Sequence, residues 1–554
     1  MNEILKTYLP KANFDTYEDF IQNYKVNVPN DFNFGFDIVD RWAALQPDKK
    51  ALLWCGDDFN MCEYTFTDMK KLSDKAANAF IDAGIKKGDR VMLILKQRPQ
   101  VWWCIVALCK IGAICIPASF QLTKKDIIYR CDSANIKMIV SVDDENVITN
   151  IKNAAPECKT LKKTAIIGGA DIDGFINFDK VIEQSSSELT RTPNNVYDPM
   201  LIYFSSGTTG MPKMVLHDHT LPLGHIVTAL FWQKVQDNKV HLTHTDSGWA
   251  KFAWGKIYGQ WICGACIGAY DTDKFTPELM IKAIHTIRPA TFCATATIYR
   301  YFIKEDSLQG NNFSYIEHSS MAGEPLNPEV YNQIRTKTGL VIKEGFGQSE
   351  SSVLLANYEW FDVKLGSMGK PSPLYDITLL DSSGKKCEDG EEGIICVRCD
   401  ENYHPVGLFR EYLLDKNEMK KSFKHGYYYT GDNAWRDSDG YYWFVGRSDD
   451  VIKCSGYRIG PFEVESALLE HASVLECAIT AVPDPVRGQV VKATIVLAKG
   501  YAGSDELKKE LQNHVKKVTA PYKYPRIIEF VTDLPKTISG KIRRKEIRDN
   551  DKVK

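Results

Sequence analysis

The sequence lacks any strong excess of charge, since 69 basic and 71 acidic residues leave a formal net charge of −2 over 554 residues. Such a chain has no global electrostatic field that would attract nucleic acid, so we expect no nucleic-acid partner. Its 15 cysteines lack regular spacing, which indicates reduced thiols rather than a disulfide framework. The pairs Cys263/Cys266 and Cys396/Cys399 stand in apolar stretches without nearby histidines, so we expect no zinc site.

Signals for targeting and membrane insertion are also missing. The first residues contain no apolar signal core, and Asp15, Glu18 and Asp19 argue against a mitochondrial presequence, which together predict a cytoplasmic location. The apolar run 101–120 is interrupted by a lysine, a glycine and a proline. It therefore predicts a helix followed by a buried strand, and we expect no integral membrane segment.

Short β-branched runs alternate with helical patterns through the first 400 residues. Such alternation is typical of stacked βαβ units, whose parallel strands are buried on both faces. We predict an α/β fold with doubly wound subdomains, in which ligands bind at the carboxyl ends of the strands. Beyond residue 380, short runs punctuated by glycine predict a small antiparallel β region. The clearest predicted strands are 91–95, 113–116, 138–141 and 200–204, and the clearest helix is 72–83.

The last hundred residues have a different pattern, which predicts a compact α+β module. A polar, charged stretch around Asp449 separates this module from the rest of the chain. We therefore predict a large N-terminal domain, 1–448, and a small C-terminal domain, 449–554. The predicted elements of the small domain are a helix over 463–470, strands over 474–482 and 490–497, and an amphipathic helix with Leu507, Leu511, Val515 and Val518 on one face.

A segment rich in glycine and hydroxyl groups follows the strand predicted at 200–204. Glycines let backbone N–H groups close on an anion, hydroxyls donate further hydrogen bonds and a lysine supplies positive charge, so the segment suits phosphate. A Walker A loop would need another spacing, because Gly207, Gly210 and Lys213 stand three residues apart and a proline precedes the lysine. The candidate phosphate-binding residues are Ser205, Ser206, Gly207, Thr208, Thr209, Gly210 and Lys213.

This segment resembles the phosphate loop of the adenylate-forming superfamily, which includes acyl-CoA synthetases, luciferases and peptide-synthetase adenylation domains. The superfamily's other motifs follow in order over nearly the whole chain, at 321–325, 344–350, 429–432 and 444–447. The resemblance implies an enzyme that uses ATP, Mg²⁺ and coenzyme A. The further ATP-binding residues that it implies are Gly323, Glu324, Pro325, Glu344, Gly345, Phe346, Gly347, Gln348, Ser349, Asp432, Arg447 and Lys541.

The implied roles suit the chemistry of the side chains. Glu350 offers Mg²⁺ a hard oxygen ligand, and Asp432 can accept hydrogen bonds from a ribose diol. The resemblance also implies a hinge at Asp449, about which the small domain swings between two half-reactions. In the first of these, Lys541 neutralises charge as a carboxylate and a phosphate approach each other. The implied catalytic residues are Glu350, Ser349, Lys541 and, for the second orientation, Arg458.

The resemblance assigns the two remaining substrates as well. The stretches 482–488 and 519–526 resemble the medium-chain acyl-CoA synthetases in particular, so we expect a small-molecule acid that is medium-chain or short and branched. Aromatic residues in the proposed acyl stretch can equally be core. The implied coenzyme A contacts are Gln121, Ser455, Gly456, Tyr457, Arg487, Lys516, Tyr524, Pro525 and Arg526. The implied acyl-pocket residues are Trp249, Phe252, Ala253, Trp254 and Gly323.

Other functions remain as alternatives. An acetyl- or propionyl-CoA synthetase and an aryl-acid ligase are the alternatives for the acid, although acetyl-CoA synthetases resemble the stretches 482–488 and 519–526 less. Light emission would reveal a luciferase-like oxygenase. No carrier domain follows before Lys554, which disfavours a peptide-synthetase adenylation domain, and the catalytic residues disfavour a non-catalytic binder. No G-x-S-x-G elbow offers a covalent route. We expect His217 and His219 to be structural, whereas homo-oligomerisation and acetylation of Lys541 stay open.

Overall fold

The computed structural model describes residues 1–205, 211–273, 275–304, 307–454, 457–536 and 541–553. Within these ranges the strands form three sheets, and helices separate most parallel strands. The predicted α/β fold is therefore confirmed. The strands are β1 (Lys50–Cys55), β2 (Met61–Thr65), β3 (Arg90–Ile94), β4 (Ile114–Pro117), β5 (Ile136–Val142), β6 (Lys163–Ile167), β7 (Ile176–Asn177), β8 (Pro199–Ser205), β9 (Lys213–Asp218), β10 (Val240–Thr243), β11 (Cys266–Tyr270), β12 (Thr291–Ala294), β13 (His318–Met321), β14 (Ile342–Phe346), β15 (Leu355–Ala356), β16 (Ser367–Pro371), β17 (Ile377–Leu380), β18 (Glu392–Arg398), β19 (Glu411–Tyr412), β20 (Phe423–Lys424), β21 (Tyr427–Arg436), β22 (Tyr442–Arg447), β23 (Ile452–Cys454), β24 (Tyr457–Ile459), β25 (Val474–Asp484), β26 (Gly488–Leu497) and β27 (Ile527–Val531).

The helices pack on these sheets, and their ends coincide with capping residues. At the start of the longest helix, Phe66–Asp82, the side chain of Thr65 accepts a hydrogen bond from the backbone N–H of Asp68. The Asp68 carboxylate in turn accepts one from the backbone N–H of Thr65. The α-helices are α1 (Glu3–Tyr8), α2 (Tyr17–Asn23), α3 (Arg41–Leu45), α4 (Phe66–Asp82), α5 (Gln100–Ile111), α6 (Lys124–Ala134), α7 (Glu145–Ala154), α8 (Phe178–Gln184), α9 (Leu221–Val227), α10 (Lys251–Gly255), α11 (Tyr258–Ile262), α12 (Pro277–Ile287), α13 (Ala296–Lys304), α14 (Pro328–Thr338), α15 (Lys416–Ser422), α16 (Pro461–Leu469), α17 (Asp505–Val518) and α18 (Arg544–Val553). Short π-helical turns cover Gly35–Asp40 and Thr228–Trp232, and 3₁₀ turns cover Ala155–Glu157 and Pro521–Lys523.

The apolar run 101–120 folds as predicted, into helix α5 followed by the buried strand β4. Gly112 ends the helix in the left-handed conformation, with φ at 70°, which a residue without Cβ adopts freely. No helix in the described part of the chain has both the length and the apolar character to cross a bilayer.

The eight-stranded sheet positions the phosphate segment. Its order is β19-β9-β8-β4-β3-β5-β6-β7, with a parallel run from β8 to β7. Strand β9 turns back antiparallel to β8, so that Ser205 pairs with Lys213 across the two strands. Ser205 therefore stands at the carboxyl end of β8, which is where a doubly wound sheet binds ligands.

The fourteen-stranded sheet positions the other predicted motifs. Strands β12, β13 and β14 run parallel, so the segments that follow β13 and β14 emerge at the same edge. From β14 the sheet continues through antiparallel pairs to β17. The antiparallel β region expected beyond residue 380 is thus an extension of the parallel sheet.

The last hundred residues build their own sheet and core. Strands β23 to β27 form a five-stranded sheet, on which α16 and α17 pack. Ile479, Ile495 and Leu511 belong to a hydrophobic cluster separate from those of the larger sheets. The predicted module is therefore observed, and its elements agree with the predictions to within about two residues, the accuracy usual for helix and strand ends.

Candidate active site

A cavity of about 1160 Å³ lies where the two larger sheets meet the C-terminal module. Its walls include the facing ends of β8 and β9, helices α13 and α15, the segments after β13 and β14, the pairing of β21 with β22, and the module that begins near residue 450. Every predicted ATP-binding residue that the structure describes lines it, while Ser206, Gly207, Thr208, Thr209 and Gly210 lie outside the described residues. The lining members are Ser205, Lys213, Gly323, Glu324, Pro325, Glu344, Gly345, Phe346, Gly347, Gln348, Ser349, Asp432, Arg447 and Lys541.

The lysine at the end of the phosphate segment is held by two neighbours. The ammonium of Lys213 forms an ion pair with Glu418, and it lies 5.0 Å from the centre of the Tyr412 ring. Both side chains of the ion pair are about three-quarters buried, with 25% and 21% of their surfaces exposed. The phosphate segment therefore presents a lysine that is already oriented by protein contacts.

The two segments at the shared sheet edge form the next wall. Gly323 follows β13 with φ at 106°, a conformation that favours glycine. The Glu324 carboxylate accepts hydrogen bonds of 2.8 Å from Thr297 and 3.2 Å from Arg300, which fix it at the rim. Glu344 in β14 is buried, and burial raises its pKa to about 8. This carboxyl is therefore mostly protonated at neutral pH.

The predicted ribose carboxylate is tied to the segment after β14. The side-chain amide of Gln348 donates to the Asp432 carboxylate and, at 2.9 Å, to the carbonyl of Thr430. The Tyr428 hydroxyl donates to Gln348 Oε1 at 2.7 Å. Burial raises the pKa of Asp432, while the charge of Arg447, 3.4 Å away, favours the ionised form. The arrangement leaves an anionic acceptor at the cavity wall.

Glu350, the predicted metal ligand, is 8% exposed and faces the cavity. The Tyr412 hydroxyl donates to its Oε1 at 2.8 Å, and burial raises its pKa. The backbone next to it is fixed by His217, whose Nε2 donates to the carbonyl of Ser349 at 2.7 Å. Burial lowers the pKa of His217 to about 4, so this imidazole is neutral and acts as a hydrogen-bond donor. The contact agrees with the structural role expected for it.

Lys541 reaches the same cavity from the C-terminal module. Its charge favours the ionised form of Asp432, which places the two side chains in one electrostatic environment. The residues just before it, 537–540, lie outside the described ranges. Helix α18 follows and is anchored by ion pairs, from Arg544 to Glu465 at 2.7 Å and from Arg548 to Asp450 at 2.5 Å. The predicted hinge residue Asp449 is exposed, one position before the buried Asp450.

The predicted coenzyme A residues are placed differently. Of those that the structure describes, Gln121, Tyr457, Arg487, Lys516, Tyr524, Pro525 and Arg526, none lines the cavity, and Ser455 and Gly456 lie outside the described residues. Lys516 and Arg526 flank the ring of Tyr524, at 4.1 and 4.9 Å from its centre. Tyr457 is 51% exposed and stacks on Tyr522 with ring centres 4.1 Å apart. Arg458 lies outside the cavity and contacts Glu392 of the large sheet at 3.6 Å.

The predicted acyl residues lie directly behind the segment after β14. Phe252, Ala253 and Trp254 are buried in and around α10, Trp249 is half-buried, and only Gly323 of the set lines the cavity. A Cβ atom added to Gly347 would lie 2.3 Å from the Trp254 ring, so the indole packs closely against the backbone there. The aromatic stretch therefore adjoins the site, and its members contribute mostly to core.

Several contacts at the site join residues far apart in the sequence. Tyr412, which touches both Lys213 and Glu350, stands in a two-residue strand that pairs with β9. Lys251 of α10 donates to the carbonyl of Ala322 at 2.9 Å, beside the segment after β13. Sequence spacing offers no signal for such contacts, because only the sheet topology brings them together.

The fold and the cavity define an α/β protein in which a lysine from a second module faces the motif residues of the large sheets across one cavity. Residues 39–413 match the family of AMP-binding enzymes, and residues 463–541 match the AMP-binding enzyme C-terminal domain. The chain belongs to this AMP-binding enzyme family. The superfamily predicted from the motifs is thereby confirmed.

Similar proteins give the same assignment. The mitochondrial acyl-coenzyme A synthetase ACSM3 of Mus musculus is 40% identical over 550 residues, which cover 98% of this chain and 94% of the relative. An acyl-CoA synthetase of Brucella canis has 30% identity and a TM-score of 0.74, covering 98% of this chain and all of that one. The anthranilate CoA ligase AuaEII, in complex with anthranoyl-AMP, has 26% identity and a TM-score of 0.87, covering 95% and 98%. These comparisons confirm the predicted enzyme class, an AMP-forming CoA ligase.

The predicted cytoplasmic location is wrong by the same comparisons, because the ACSM3 relatives of mouse, rat, orangutan and human are all mitochondrial proteins. The acidic residues on which it rested have another physical role. Glu18 and Asp19 stand in the first turn of α2, where negative charge stabilises the helix dipole. Their presence therefore reflects local folding.

Proposed function

We propose that this protein is an ATP-dependent acyl-CoA synthetase that converts a carboxylic acid, ATP and coenzyme A into acyl-CoA, AMP and pyrophosphate. The observation that carries the proposal is the convergence of Lys541, Asp432 and Glu350 on one cavity. These residues come from the small module and from two separate parts of the large sheet. Such a set supplies a cation, a ribose acceptor and a phosphate-side carboxylate around one nucleotide.

In the first half-reaction, a carboxylate oxygen of the acid attacks the α-phosphorus of ATP. The new P–O bond forms as the bond to the β-phosphate oxygen breaks, and pyrophosphate leaves with its electron pair. Lys541 lowers the repulsion between the two anions as they approach. Asp432 and Arg447 orient the ribose, and Ser349 holds the α-phosphate. The product, an acyl-adenylate, is a mixed anhydride whose carbonyl is electrophilic.

In the second half-reaction, the thiol of coenzyme A attacks that carbonyl. A thioester forms, AMP leaves with the electron pair of the broken bond, and the thiol proton passes to solvent. We propose that rotation about Asp449 delivers Arg458 and the coenzyme A contacts to the site, with domains at 1–448 and 449–554. The exposed position of Asp449 beside a buried neighbour, and the distance of those contacts from the cavity, support this.

The residues present also suit Mg²⁺. The Glu350 carboxylate faces the cavity and accepts a hydrogen bond from Tyr412, and its two oxygens carry enough lone pairs to hold a hard cation as well. A single carboxylate is enough when the remaining ligands are substrate phosphates and water. When bound, Mg²⁺ would neutralise charge on the phosphates. We therefore propose Glu350 as the protein ligand.

The acid is proposed to be medium-chain or short and branched, on the likeness of the sequence to medium-chain acyl-CoA synthetases. An aryl acid is the second candidate, because the ligase that shares 26% identity with this chain holds anthranoyl-AMP. An apolar pocket separates acids that differ by one methylene by only about 1–3 kcal/mol, so we expect several acids to react.

A screen of acids tests this function. Purified protein with ATP and Mg²⁺ is mixed with butyrate, 2-methylbutyrate, octanoate or benzoate, and pyrophosphate is measured. We expect release with at least one of the aliphatic acids and, once coenzyme A is added, the matching thioester. Preference for benzoate would favour the aryl-acid candidate. Absence of pyrophosphate with all four acids would contradict the proposal.

A mitochondrial location is proposed from the ACSM3 relatives. Fractionation of cells that express the chain with a C-terminal tag should recover it with a matrix marker. Recovery with cytosolic markers alone would contradict this part.

A further inference from the structure

The ion pair between Lys213 and Glu418 joins the phosphate segment to a short helix that no motif includes. Glu418 lies in α15, 205 positions after the lysine. Both side chains line the nucleotide cavity. Among the described residues, this is the carboxylate that pairs directly with the phosphate-segment lysine.

Helix α15 presents one face to the cavity. Glu418, Lys421 and Ser422 all line it, and their spacing of three and four residues places them on the same side of a helix. The side chain of Asp415 accepts a 2.9 Å hydrogen bond from the backbone N–H of Glu418 and caps the helix. The backbone that carries Glu418 is therefore fixed independently of its carboxylate.

The position of the carboxylate creates a competition. A phosphate group that contacts the Lys213 ammonium must come within a few ångströms of Glu418, since the two are already in contact. The two negative charges would repel each other at a site that is only partly open to water, where screening is weaker than in bulk. The Tyr412 ring lies 5.0 Å from the same ammonium and its hydroxyl donates to Glu350, so the lysine also lies near the proposed metal ligand.

We infer that Glu418 is an internal competitor of the terminal phosphates: it pairs with Lys213 when the site is empty, yields the lysine to the triphosphate, and takes it back as pyrophosphate leaves. The inference rests on the proposed function and deepens it, because it assigns a residue that limits how tightly the released pyrophosphate is held. Glu418 is thus a positioning residue for Lys213.

The test replaces the carboxylate with an amide of the same shape, Glu418→Gln. The variant should bind magnesium pyrophosphate about three- to tenfold more tightly by calorimetry, because the repulsive charge is gone. The KM for ATP and the inhibition constant for pyrophosphate should fall by the same factor, while the KM for the acid stays the same. The differences should shrink in high salt, since screening weakens repulsion between partly exposed charges.

The matched control is Glu359→Gln. Glu359 pairs with Lys234 at 2.5 Å on the surface, and neither residue lines the cavity. This variant should bind pyrophosphate as the unaltered protein does. A second variant, Glu418→Ala, removes the carboxylate without adding an amide. Thermal melts of the three variants should coincide within a few degrees, which excludes a fold defect.

The outcomes separate the inference from the function. Tighter pyrophosphate binding by both Glu418 variants supports the inference, and unchanged or weaker binding by both overturns it. Calorimetry with pyrophosphate needs no turnover. A protein that releases no pyrophosphate with any acid would therefore contradict the proposed function without deciding the role of Glu418.

Discussion

The nucleotide residues and the coenzyme A residues of this protein are in opposite states of assembly. Every described ATP candidate lines one cavity, and Gln348, Asp432 and Arg447 are already joined by side-chain contacts. The described coenzyme A candidates lie outside that cavity, with Tyr457 half exposed. We expect this arrangement to serve the first half-reaction of the proposed mechanism. On the proposed mechanism, the difference means that one site serves two reactions and that the small module changes its position between them.

The largest expected effect is a difference between the two half-reactions when Lys541 is replaced. Replacing Lys541 with alanine should slow adenylate formation by about 100- to 1000-fold, since one charge that stabilises the transition state is lost. Thioester formation from acyl-adenylate supplied ready-made should continue. Quenched-flow assays of pyrophosphate and of acyl-CoA measure the two steps separately.

The neighbouring basic residue Lys545 also lines the cavity and provides the matched control. Lys545→Ala should retain most adenylation if position 541 itself is what matters. An equal loss of both half-reactions in the Lys541 variant would indicate misfolding. It would contradict the claim that Lys541 serves the first half-reaction alone.

The second effect concerns the movement between the halves. Asp449→Pro fixes φ near −65° and restricts the preceding residue, so we expect adenylation within a few-fold of normal and thioester formation reduced at least tenfold. Single-turnover measurements with and without coenzyme A separate these rates. Asp449→Ala leaves the backbone free to rotate and should behave normally. Full turnover in the proline variant would contradict the assignment of Asp449 as the hinge.

A smaller effect tests the proposed ATP-binding residues that line the cavity. Asp432→Asn replaces an acceptor by a group that also donates, and it removes the nearer of the two carboxylates that pair with Arg447. The KM for ATP should rise about tenfold, a loss of about 1.4 kcal/mol, with the KM for coenzyme A unchanged. Steady-state kinetics in each substrate provide the measurement. Asp439→Asn, at the exposed turn between β21 and β22, is the control, and equal effects of both changes would contradict a ribose contact.

The last prediction concerns folding stability rather than turnover and is a pH dependence at Glu344. Burial raises the pKa of Glu344 to about 8 in the folded state, above the 4.5 expected when unfolded. The folded protein then binds the extra proton, so this group makes stability fall as pH rises from about 4.5 to about 8. The Glu344→Gln side chain cannot ionise. The melting temperature of this variant, measured relative to that of the unaltered protein, should therefore rise between about pH 4.5 and about pH 8. Parallel melting curves at pH 5 and pH 9 would contradict the assignment.

Much of the fold was predictable because its signals are local. Buried strands such as β3 and β5 are short β-branched runs, and α17 has an apolar face, so each could be recognised within about ten residues. The ordered motifs were equally local signals, and every residue that they assigned to ATP and that the structure describes lines one cavity. Local patterns do not determine how sheets join, and the continuation of the parallel sheet through β15 was accordingly not expected.

The contacts that complete the site were not predictable from spacing. Glu418 meets Lys213 across 205 residues, and Tyr412 meets Glu350 across 62, through strands and helices of two to seven residues. The acyl stretch shows a second limit, because aromatic residues at such positions serve both as core and as lining. Phe252 and Trp254 are buried, and the packing of Trp254 on Gly347 connects this stretch with the site.

The order of product release tests the central claim most directly. The protein is mixed with ATP, Mg²⁺ and the preferred acid, and pyrophosphate and AMP are followed before and after coenzyme A is added. The two-step account predicts a burst of pyrophosphate equal to the enzyme concentration without coenzyme A, and AMP with acyl-CoA only after its addition. Pyrophosphate that appears only together with coenzyme A would contradict a separate adenylation step.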